Sequence, residues 1–248
     1  MEVELIDCMG TDASIVQAAR VSYGAGTKTP SNDTALIRYL LRNKHTTPFE
    51  MVEFKFRIKC PIFVARQHMR HRTASINEIS ARYSVIEDEY YTPTPFRKQS
   101  VDNKQGSDGF IDAQFNKEIT ERYTYLCRDA FNVYNLMLEN GVSRELARCI
   151  LPQSTMTHFY WKINLHNLFH YLRLRMDSHA QWEIQELARM IFTHVQKKVP
   201  IAAQAFQDYC VDTVTFSKCD ISGSIKEGSR EYIELQAKID MVKKCPYL

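Results

Sequence analysis

The sequence predicts an α+β protein made of one large domain and a C-terminal appendage. Its 248 residues are 44% hydrophobic and 25% charged, a composition typical of a globular protein with a sizeable core. Apolar and charged side chains alternate over 51–60, which indicates a half-buried strand. Apolar residues recur with the helical period over 112–140 and 164–176, which indicates helices. Strands and helices are therefore both expected to contribute to the core.

The N-terminal part is expected to form one strand and two helices. Residues 3–9 have the composition of a short strand. Asp12 is expected to cap a helix over 13–23, and a second helix is expected to begin at Asn32 or Asp33. The turn-rich segment between the two helices is expected to be mobile.

Two prolines set the local geometry of the next segments. Pro48 favours extended backbone before it, so His45 and Thr47 are expected on a rigid connector outside any helix. Pro61 is expected to be the first residue of a helix that leads toward Arg70.

The second half of the chain adds further helices and one more strand. The expected elements are the helix at 112–140 that Gly141 ends, a short helix capped by Ser143, a strand at 155–163, and helices at 164–176, 182–198 and 201–209. Residues 87–108 are expected to form an exposed loop. The pattern weakens after Ser217, which predicts a domain at 1–216 and an appendage of unknown role at 217–248.

The helix at 164–176 carries two polar strips beside its apolar face. One strip contains His166, His170 and Arg173, and the other contains Asn164, Tyr171 and Arg175. Two strips can serve two different sites, which points to an oligomer, although two solvated faces would have the same pattern.

Charge and cysteine usage limit the functional class and the location. Lys plus Arg is 32 and Asp plus Glu is 29, and a net charge of +3 is too balanced for a dedicated nucleic-acid binder. The seven cysteines are scattered without a C-x-x-C pair, which is typical of a reducing compartment. The first residues lack the pattern of a secretory signal, and no apolar run is long enough to span a membrane. We therefore expect a cytoplasmic protein.

One polar stretch, residues 70–84, stands out from the rest. It reads R-H-R-T-A-S-I-N-E-I-S-A-R-Y-S, without lysine, glycine or proline. Clustered arginines repel one another unless an anion lies between them, and guanidinium groups suit phosphate oxygens. We interpret the stretch as a site for a phosphorylated, ring-bearing ligand, although an arginine-rich surface held by internal ion pairs would have the same composition. Its second half is expected to be a strand with Ser80, Arg82 and Ser84 on one face.

Several common kinds of chemistry have no motif in the sequence. There is no glycine-rich dinucleotide motif and no P-loop. His166 and His170 have metal-compatible spacing, but no carboxylate or cysteine near them completes a site, so no metal is expected. No arrangement marks a nucleophilic cysteine. Polar recognition remains, which favours a protein that holds a cofactor for the chemistry.

Four ordered segments resemble the flavin-dependent thymidylate synthases, the ThyX family. The first is the signature R-H-R-x7-S from Arg70 to Ser80. The others are K-H-x-T-P-F-E at 44–50, A-R-x-x-L-P at 147–152 and L-R-x-D-x-x-A-Q-x-E-I at 174–184. The resemblance covers about residues 1–212 and leaves the tail unmatched.

The resemblance implies a mixed, largely antiparallel central sheet flanked by helices, in a homotetramer whose active sites lie at subunit interfaces. It implies an enzyme of de novo dTTP biosynthesis that makes dTMP from dUMP. FAD would deliver hydride, 5,10-methylenetetrahydrofolate would donate the carbon and NADPH would be the reductant, with no covalent cysteine nucleophile. No nucleic-acid or membrane partner is expected.

The resemblance also implies roles for individual residues. FAD would be contacted by His45, Thr47, Arg70, His71, Arg72, Glu78, Asn164, His166 and His170, although the family often has arginine at the position of His166. The dUMP substrate would be contacted by Gln67, Arg70, Glu78, Ser80, Arg82, Arg148 and Arg175. Arg175 is the expected catalytic residue, because a fixed cation beside the uracil ring favours its ionised, activated form.

Two other functional classes stay open at the level of the sequence. A nucleic-acid-binding module could also use arginine and aromatic side chains, although the modest net charge argues against it. A non-catalytic flavoprotein of the same fold would carry many of the same residues.

Overall fold

The computed structural model describes residues 1–21, 33–101, 104, 106–222 and 225–243, and the predicted mobile turn lies almost wholly outside these ranges. The strands are β1 (Glu2–Met9), β2 (Glu53–Pro61), β3 (Ser75–Glu78), β4 (Arg97–Gln99), β5 (Ser107–Phe110) and β6 (Met156–Asn164). The helices are α1 (Asp12–Arg20), α2 (Asp33–Arg42), α3 (Thr47–Glu50), α4 (Ile62–His68), α5 (Ala113–Glu139), α6 (Arg144–Ala147), α7 (Leu165–Arg175), α8 (Trp182–Lys198), α9 (Pro200–Phe206), α10 (Lys218–Ser222) and α11 (Arg230–Lys243).

The central sheet has the strand order β1-β2-β6-β3. Every ladder between these described strands is antiparallel, and the register places Phe56 of β2 beside Trp161 of β6. β4 and β5 form a separate two-stranded hairpin. The prediction of an α+β fold with an antiparallel sheet flanked by helices is confirmed.

One face of β2 supplies the centre of the core. Phe54, Phe56 and Ile58 are fully buried, whereas Lys55 and Arg57 between them are exposed. The buried residues of β6 and of α7, α8 and α9 belong to the same core cluster. Each large side chain buried in this way contributes about 2 kcal/mol, which explains why the alternation seen in the sequence fixes this strand.

Asp12 caps a helix, but not the one that the sequence predicts. The backbone N–H of Thr11, just before α1, donates to Ser14 Oγ at 3.1 Å. The two Asp12 carboxylate oxygens instead accept from the backbone N–H groups of Ile201 and Ala202, each at 2.9 Å. Asp12 therefore satisfies the first turn of α9, far away in the chain, and joins the N-terminal segment to the last core helix.

Both proline expectations need correction. Thr47 opens the one-turn helix α3, because Pro48 is tolerated in a first helical turn. His45 lies outside a helix, as predicted. Pro61 is the last residue of β2 and the N-cap of α4, so the helix begins at Ile62, one position after the predicted start.

The strand within 70–84 lies earlier than predicted. β3 covers 75–78, and the residues after it form a turn in which the N–H groups of Tyr83 and Ser84 both donate to the Ser80 carbonyl. The prediction that Ser80, Arg82 and Ser84 share a strand face is therefore wrong. The next segment also differs from the predicted exposed loop, since it contains the β4–β5 hairpin and Tyr90 pairs with Thr155.

The long helix α5 buries only part of its apolar surface. Phe131 and Tyr134 are buried, but Leu126 is 64% exposed and Leu136 is 58% exposed. Within the described residues, no helix combines the length and the apolar character needed to cross a bilayer.

The Asp12 cap gives a stability prediction. We expect Asp12→Ala to lower the free energy of unfolding by about 1–2 kcal/mol, because two helix N–H groups lose their acceptor. Chemical denaturation at neutral pH measures this loss. Asp129→Ala, at an exposed position of α5, is the matched control and is expected to have little effect. Equal stability of both variants would contradict the role assigned to Asp12.

Candidate active site

Arg175 and His71 are joined by a hydrogen bond at the end of α7. Arg175 Nε donates to His71 Nε2 at 2.9 Å. A guanidinium only donates, so His71 Nε2 carries no proton and the proton of the neutral ring lies on Nδ1. Burial, followed by the charges of Arg175 and His170, lowers the pKa of His71 to about 4. The histidine is therefore neutral at physiological pH and can donate a hydrogen bond through Nδ1.

Gln67 belongs to the same group of side chains. It lies in the last turn of α4, and its backbone carbonyl accepts from Arg175 Nη2 at 3.5 Å. The ring of His170 lies 6.0 Å from that of His71, centroid to centroid. The structure thus brings together four of the predicted site residues, which come from α4, from the residues after it and from α7.

A buried histidine and tyrosine lie directly beneath this group. His68 Nδ1 and Tyr171 Oη are hydrogen-bonded at 2.9 Å, and both residues are fully buried. The Trp161 ring packs 4.2 Å from the His68 ring. Burial lowers the pKa of His68 to about 3 and raises that of Tyr171. Tyr171 therefore belongs to the core and not to a polar strip.

Asn164 also stabilises the start of α7. It is the N-cap of α7, and its side chain accepts from the backbone N–H of Asn167 at 2.9 Å. The side-chain NH2 group is the part of Asn164 that remains for a ligand.

The other polar strip of α7 lines a cavity of about 340 Å³. The cavity is bordered by Leu41, Lys44, His45, Thr46, Phe49, His166, Phe169, His170, Arg173, Phe206 and Cys210. It brings together His45, His166 and His170 of one chain, three of the residues that the resemblance implies as FAD contacts. Arg173, the third residue of this strip, borders the cavity with an exposed side chain.

Thr47 lies apart from this cavity. It borders a neighbouring groove of about 1060 Å³ between α1, α2 and α3, to which His45 and Thr46 also contribute. Lys44, Phe49, Phe206 and Cys210 are cavity residues that the sequence did not single out. Only Lys44 and Phe49 lay in a segment that carried the family resemblance, so they had a signal in the sequence.

Three arginines of the 70–84 stretch are exposed and lack a carboxylate partner. Within the described residues, no ion pair is formed by Arg70, Arg72 or Arg82. This observation argues against the alternative of an arginine-rich surface held by internal ion pairs. It leaves three guanidinium groups available for an anion.

Arg82 belongs to a second group of side chains, and Glu78 makes a contact of its own. Glu78 Oε1 accepts from Thr157 Oγ1 at 2.6 Å, and the Arg82 guanidinium lies 5.5 Å from the Tyr83 ring. Arg82 and Tyr83 border a recess of about 370 Å³ with Ser143, Arg144 and Glu145, and Arg144 Nη1 donates to the Tyr83 carbonyl at 3.5 Å.

Arg148 lies close in sequence to this second group. Its exposed side chain donates to the Glu145 carbonyl at 3.4 Å. Among the described residues, none of Gln67, His71 and Arg175 borders the recess at Arg82.

Two residues behind Gln67 had no role assigned from the sequence. Gln67 Nε2 donates to Gln181 Oε1 at 2.5 Å, and Gln181 Nε2 donates to the buried carboxylate of Glu183 at 3.0 Å. The A-Q-x-E segment was part of the family resemblance, which is the only signal that the sequence held for them. Within the described part of the chain, no cluster of three or more His, Cys, Asp or Glu side chains is arranged to hold a metal ion.

The fold and the site together define the class of protein. It is an α+β protein in which unpaired arginines, a neutral histidine and a partly aromatic cavity suit a phosphorylated, ring-bearing ligand. Comparison with known proteins places it more narrowly. Residues 4–201 match the family model described as thymidylate synthase complementing protein.

Curated relatives agree with this match. The flavin-dependent thymidylate synthase of Thermus thermophilus is 52% identical over 219 residues, 88% of this chain and 80% of the relative. The enzyme of the same name from Dictyostelium discoideum is 51% identical, over 88% of this chain and 72% of the relative. Among solved structures, a similar fold is found in the UMP/dUMP methylase PolB from Streptomyces cacaoi, which was crystallised with 5-Br dUMP. The TM-score is 0.77 with 33% sequence identity, and the match covers 84% of this chain and 95% of the PolB chain.

The chain belongs to the family of flavin-dependent thymidylate synthases. The predictions of this family, of an enzyme and of a flavin cofactor are confirmed by the matches.

The buried His68 gives a prediction for the pH dependence of stability. The unfolded chain takes up a proton on this histidine below its ordinary pKa of 6.5, whereas the folded protein does so only near pH 3. Stability therefore falls as the pH falls through 6.5, and His68 contributes about 2 kcal/mol of the loss between pH 7 and pH 5. We expect His68→Phe to flatten this slope. Urea unfolding at both pH values measures it.

The control for this experiment is an exposed histidine. His179→Ala changes a side chain that is 82% exposed, and it is expected to keep the slope of the unaltered protein. A slope in His68→Phe equal to that of the unaltered protein would show that His68 is not the group responsible.

Proposed function

We propose that this protein methylates dUMP to dTMP in de novo dTTP synthesis. FAD is the cofactor, 5,10-methylenetetrahydrofolate the carbon donor and NADPH the reductant. The observation that carries the proposal is the fixed guanidinium of Arg175, which His71 and the Gln67 carbonyl hold in place. Within the described residues, Nη1 of Arg175 has no hydrogen-bond partner and is available for the ligand. A cation held beside a pyrimidine stabilises negative charge that develops on the ring during reaction.

The described residues fit a flavin. Phe49, Phe169 and Phe206 give apolar surface to the cavity that His45, His166 and His170 border. Arg70 and Arg72 are exposed cations, suited to the diphosphate of a dinucleotide. Asn164 and Glu78 add polar groups, and Thr47 contributes from the neighbouring groove. When bound, FAD would supply the hydride that the pyrimidine receives.

The nucleotide would be held by both groups of side chains. Gln67 and Arg175 would face the base, while Ser80, Arg82 and Arg148 would hold the phosphate. Arg70 and Glu78 would lie between the two ligands. The PolB structure with bound 5-Br dUMP supports a nucleotide of this type, because PolB covers 84% of this chain.

A cysteine nucleophile is not part of this proposal. Burial raises the pKa of the Cys60 thiol to about 12 and also raises that of Cys210, the cysteine that borders the cavity. Both thiols stay protonated at neutral pH, and a thiol is a far weaker nucleophile than a thiolate.

We propose a homotetramer whose active sites are shared between subunits. Among the described residues, none of Gln67, His71 and Arg175 borders the recess at Arg82, which supports sites completed by a second chain. The exposed Leu126 and Leu136 on α5 supply apolar surface for an interface. The division into 1–216 and 217–248 also stays a proposal, which is supported by an ion pair within the tail between Lys238 and Asp220 at 2.7 Å. The cytoplasmic location stays a prediction.

The role of Arg175 can be tested by a single substitution. We expect Arg175→Ala to lower dTMP formation by at least about 100-fold, because the developing charge loses its fixed cation. The measurements are dTMP formation and the dUMP-dependent reoxidation of reduced flavin with the folate present. The absorption spectrum is expected to show that flavin stays bound.

Two further variants make this test specific. Arg175→Lys keeps the charge but not the fixed fork, so it is expected to have intermediate activity. Arg57→Ala, on the exposed side of β2, is expected to behave like the unaltered protein. Near-normal turnover in Arg175→Ala would overturn the assigned role. A protein that binds flavin but never forms dTMP would instead be a non-catalytic flavoprotein.

Shared active sites can be tested by mixing two inactive variants. We expect Arg82→Ala and Arg175→Ala to be inactive alone but to regain activity when co-expressed. In a mixed tetramer, some sites combine an intact Arg82 from one subunit with an intact Arg175 from another. Random assortment restores about a quarter of the sites. The measurement is turnover per tetramer, with the assembly mass checked against four times the 29.0 kDa chain. Mixtures without activity would contradict a site shared in this way.

A further inference from the structure

Lys44 has a backbone conformation that lysine rarely adopts. Its φ is +59°, the only positive φ of a non-glycine residue within the described parts of the chain. Just after α2, its N–H donates to the Leu41 carbonyl at 3.1 Å, and the N–H of His45 donates to the Leu40 carbonyl at 2.9 Å. These two bonds form a Schellman motif, in which glycine is preferred at the position of Lys44, because a Cβ atom is unfavourable in this conformation.

The end of α2 does not require a lysine side chain. Arg42 already supplies a cation to the last turn of this helix, where it complements the helix dipole. The Lys44 side chain is exposed and, among the described residues, it forms no ion pair. A strained residue that the local fold does not need points to a function for its side chain.

Lys44 shares the cavity of about 340 Å³ with a second cation, Arg173 in the last turn of α7. Arg173 is exposed and also lacks an ion pair within the described parts of the chain. None of the described residues that border the cavity is an aspartate or a glutamate. The two cations therefore give this cavity a positive potential that favours an anionic group.

A cysteine of the cavity wall shows that the two cations act at the same place. Burial raises the pKa of the Cys210 thiol, and the charges of Arg173 and Lys44 both act to lower it. Two side chains that come from separate helices, after α2 and within α7, thus lie near one thiol. The cations belong to the same end of the cavity.

Four other arginines of the proposed site are already assigned to phosphate groups. Arg70 and Arg72 are assigned to the diphosphate of FAD, and Arg82 and Arg148 to the phosphate of dUMP. Of the co-substrates, 5,10-methylenetetrahydrofolate carries a glutamate with two separate carboxylates. Two cations on separate elements match two separate carboxylates better than one compact phosphate, such as the 2′-phosphate of NADPH, which suits a bidentate arginine.

We propose that Lys44 and Arg173 form a subsite for the glutamate carboxylates of the folate. This inference rests on the proposed function, in which the folate is the carbon donor. It goes further, because neither residue has a role in that proposal. Both side chains are exposed, so the subsite is open to solvent, as suits the flexible tail of a ligand.

The substitution Lys44→Gly removes one charge without disturbing the backbone. Glycine adopts a positive φ without strain, so the variant is expected to unfold at no lower urea concentration than the unaltered protein. We expect the KM for 5,10-methylenetetrahydrofolate to rise about tenfold with a small change in kcat, because the glutamate is remote from the carbon that is transferred. An unchanged KM in this variant would overturn the proposal.

A second variant and a matched control make the effect specific. Arg173→Gln removes the other charge and is expected to raise the same KM about tenfold. Arg42→Ala removes an exposed cation that does not border the cavity, and it is expected to leave this KM unchanged. The KM for NADPH and the flavin absorption are expected to stay unchanged in all three variants. A higher KM for NADPH or a loss of flavin, in place of the effect on the folate, would show that the cations hold a phosphate and would refute the assignment.

A carbon donor without glutamate identifies the group that the cations bind. The probe is 5,10-methylenetetrahydropteroate, which lacks the glutamate but keeps the ring system and the carbon that is transferred. We expect the unaltered protein to have a KM at least about tenfold higher for this donor than for the folate. The variant with both Lys44→Gly and Arg173→Gln is expected to use the two donors with similar KM. If the double substitution raised the KM for both donors equally, the carboxylates would not be the bound group.

A binding measurement separates this inference from the proposed function. The FAD-loaded protein is dialysed to equilibrium against tetrahydrofolate and, separately, against tetrahydropteroate. Tighter binding of tetrahydrofolate that is lost in the double variant supports the subsite, whether or not dTMP is formed. Equal affinity for the two compounds in a protein that forms dTMP would refute the subsite alone. A protein that binds neither compound would overturn the subsite together with the folate donor of the proposed function.

Discussion

The hydrogen bond from Arg175 Nε to His71 Nε2 is the interaction on which the candidate site depends. It exists only while the histidine is neutral, since a protonated ring has no acceptor for the guanidinium. Burial and the neighbouring cations keep it neutral by lowering its pKa to about 4. The same bond holds Arg175 in place and leaves Nδ1 of His71 as a donor. This contact thus requires a neutral His71 ring, and it fixes which atoms of His71 and Arg175 donate and which accept.

The scaffold explains why this contact is held firmly. Arg175 ends a helix whose other end is capped by Asn164, the last residue of β6. The helix is fixed by its buried face, and its Tyr171 is bonded to the buried His68 of α4. His71 follows His68 by three residues, so the bond between these two helices also aligns Arg175 with its partner. Core packing and site geometry therefore share the same elements.

Sequence patterns correctly predicted the strands and helices in which the regularly spaced apolar residues are buried in the core. The alternation along β2, the strand composition of β6 and the repeat in α7 matched the structure, because their apolar side chains form the core. The alternation at 79–85 was misleading, since Tyr83 is 74% exposed and Val85 is 53% exposed. The strand β3 is instead placed by its pairing with β6. Asp12 and Glu183 act on partners far away in the chain, and such contacts have no local signature.

The distribution of charge separates the site from the rest of the surface. The chain has nearly as many acidic as basic residues, 29 and 32, so partners for most arginines are available. Glu183 pairs with Arg97, and Asp208 pairs with Arg38. Arg70, Arg72 and Arg82 have no such partner among the described residues, although they lie within thirteen positions of one another. A cluster of cations left unpaired costs stability through mutual repulsion. These exposed cations are therefore available for the phosphate groups of the proposed FAD and dUMP.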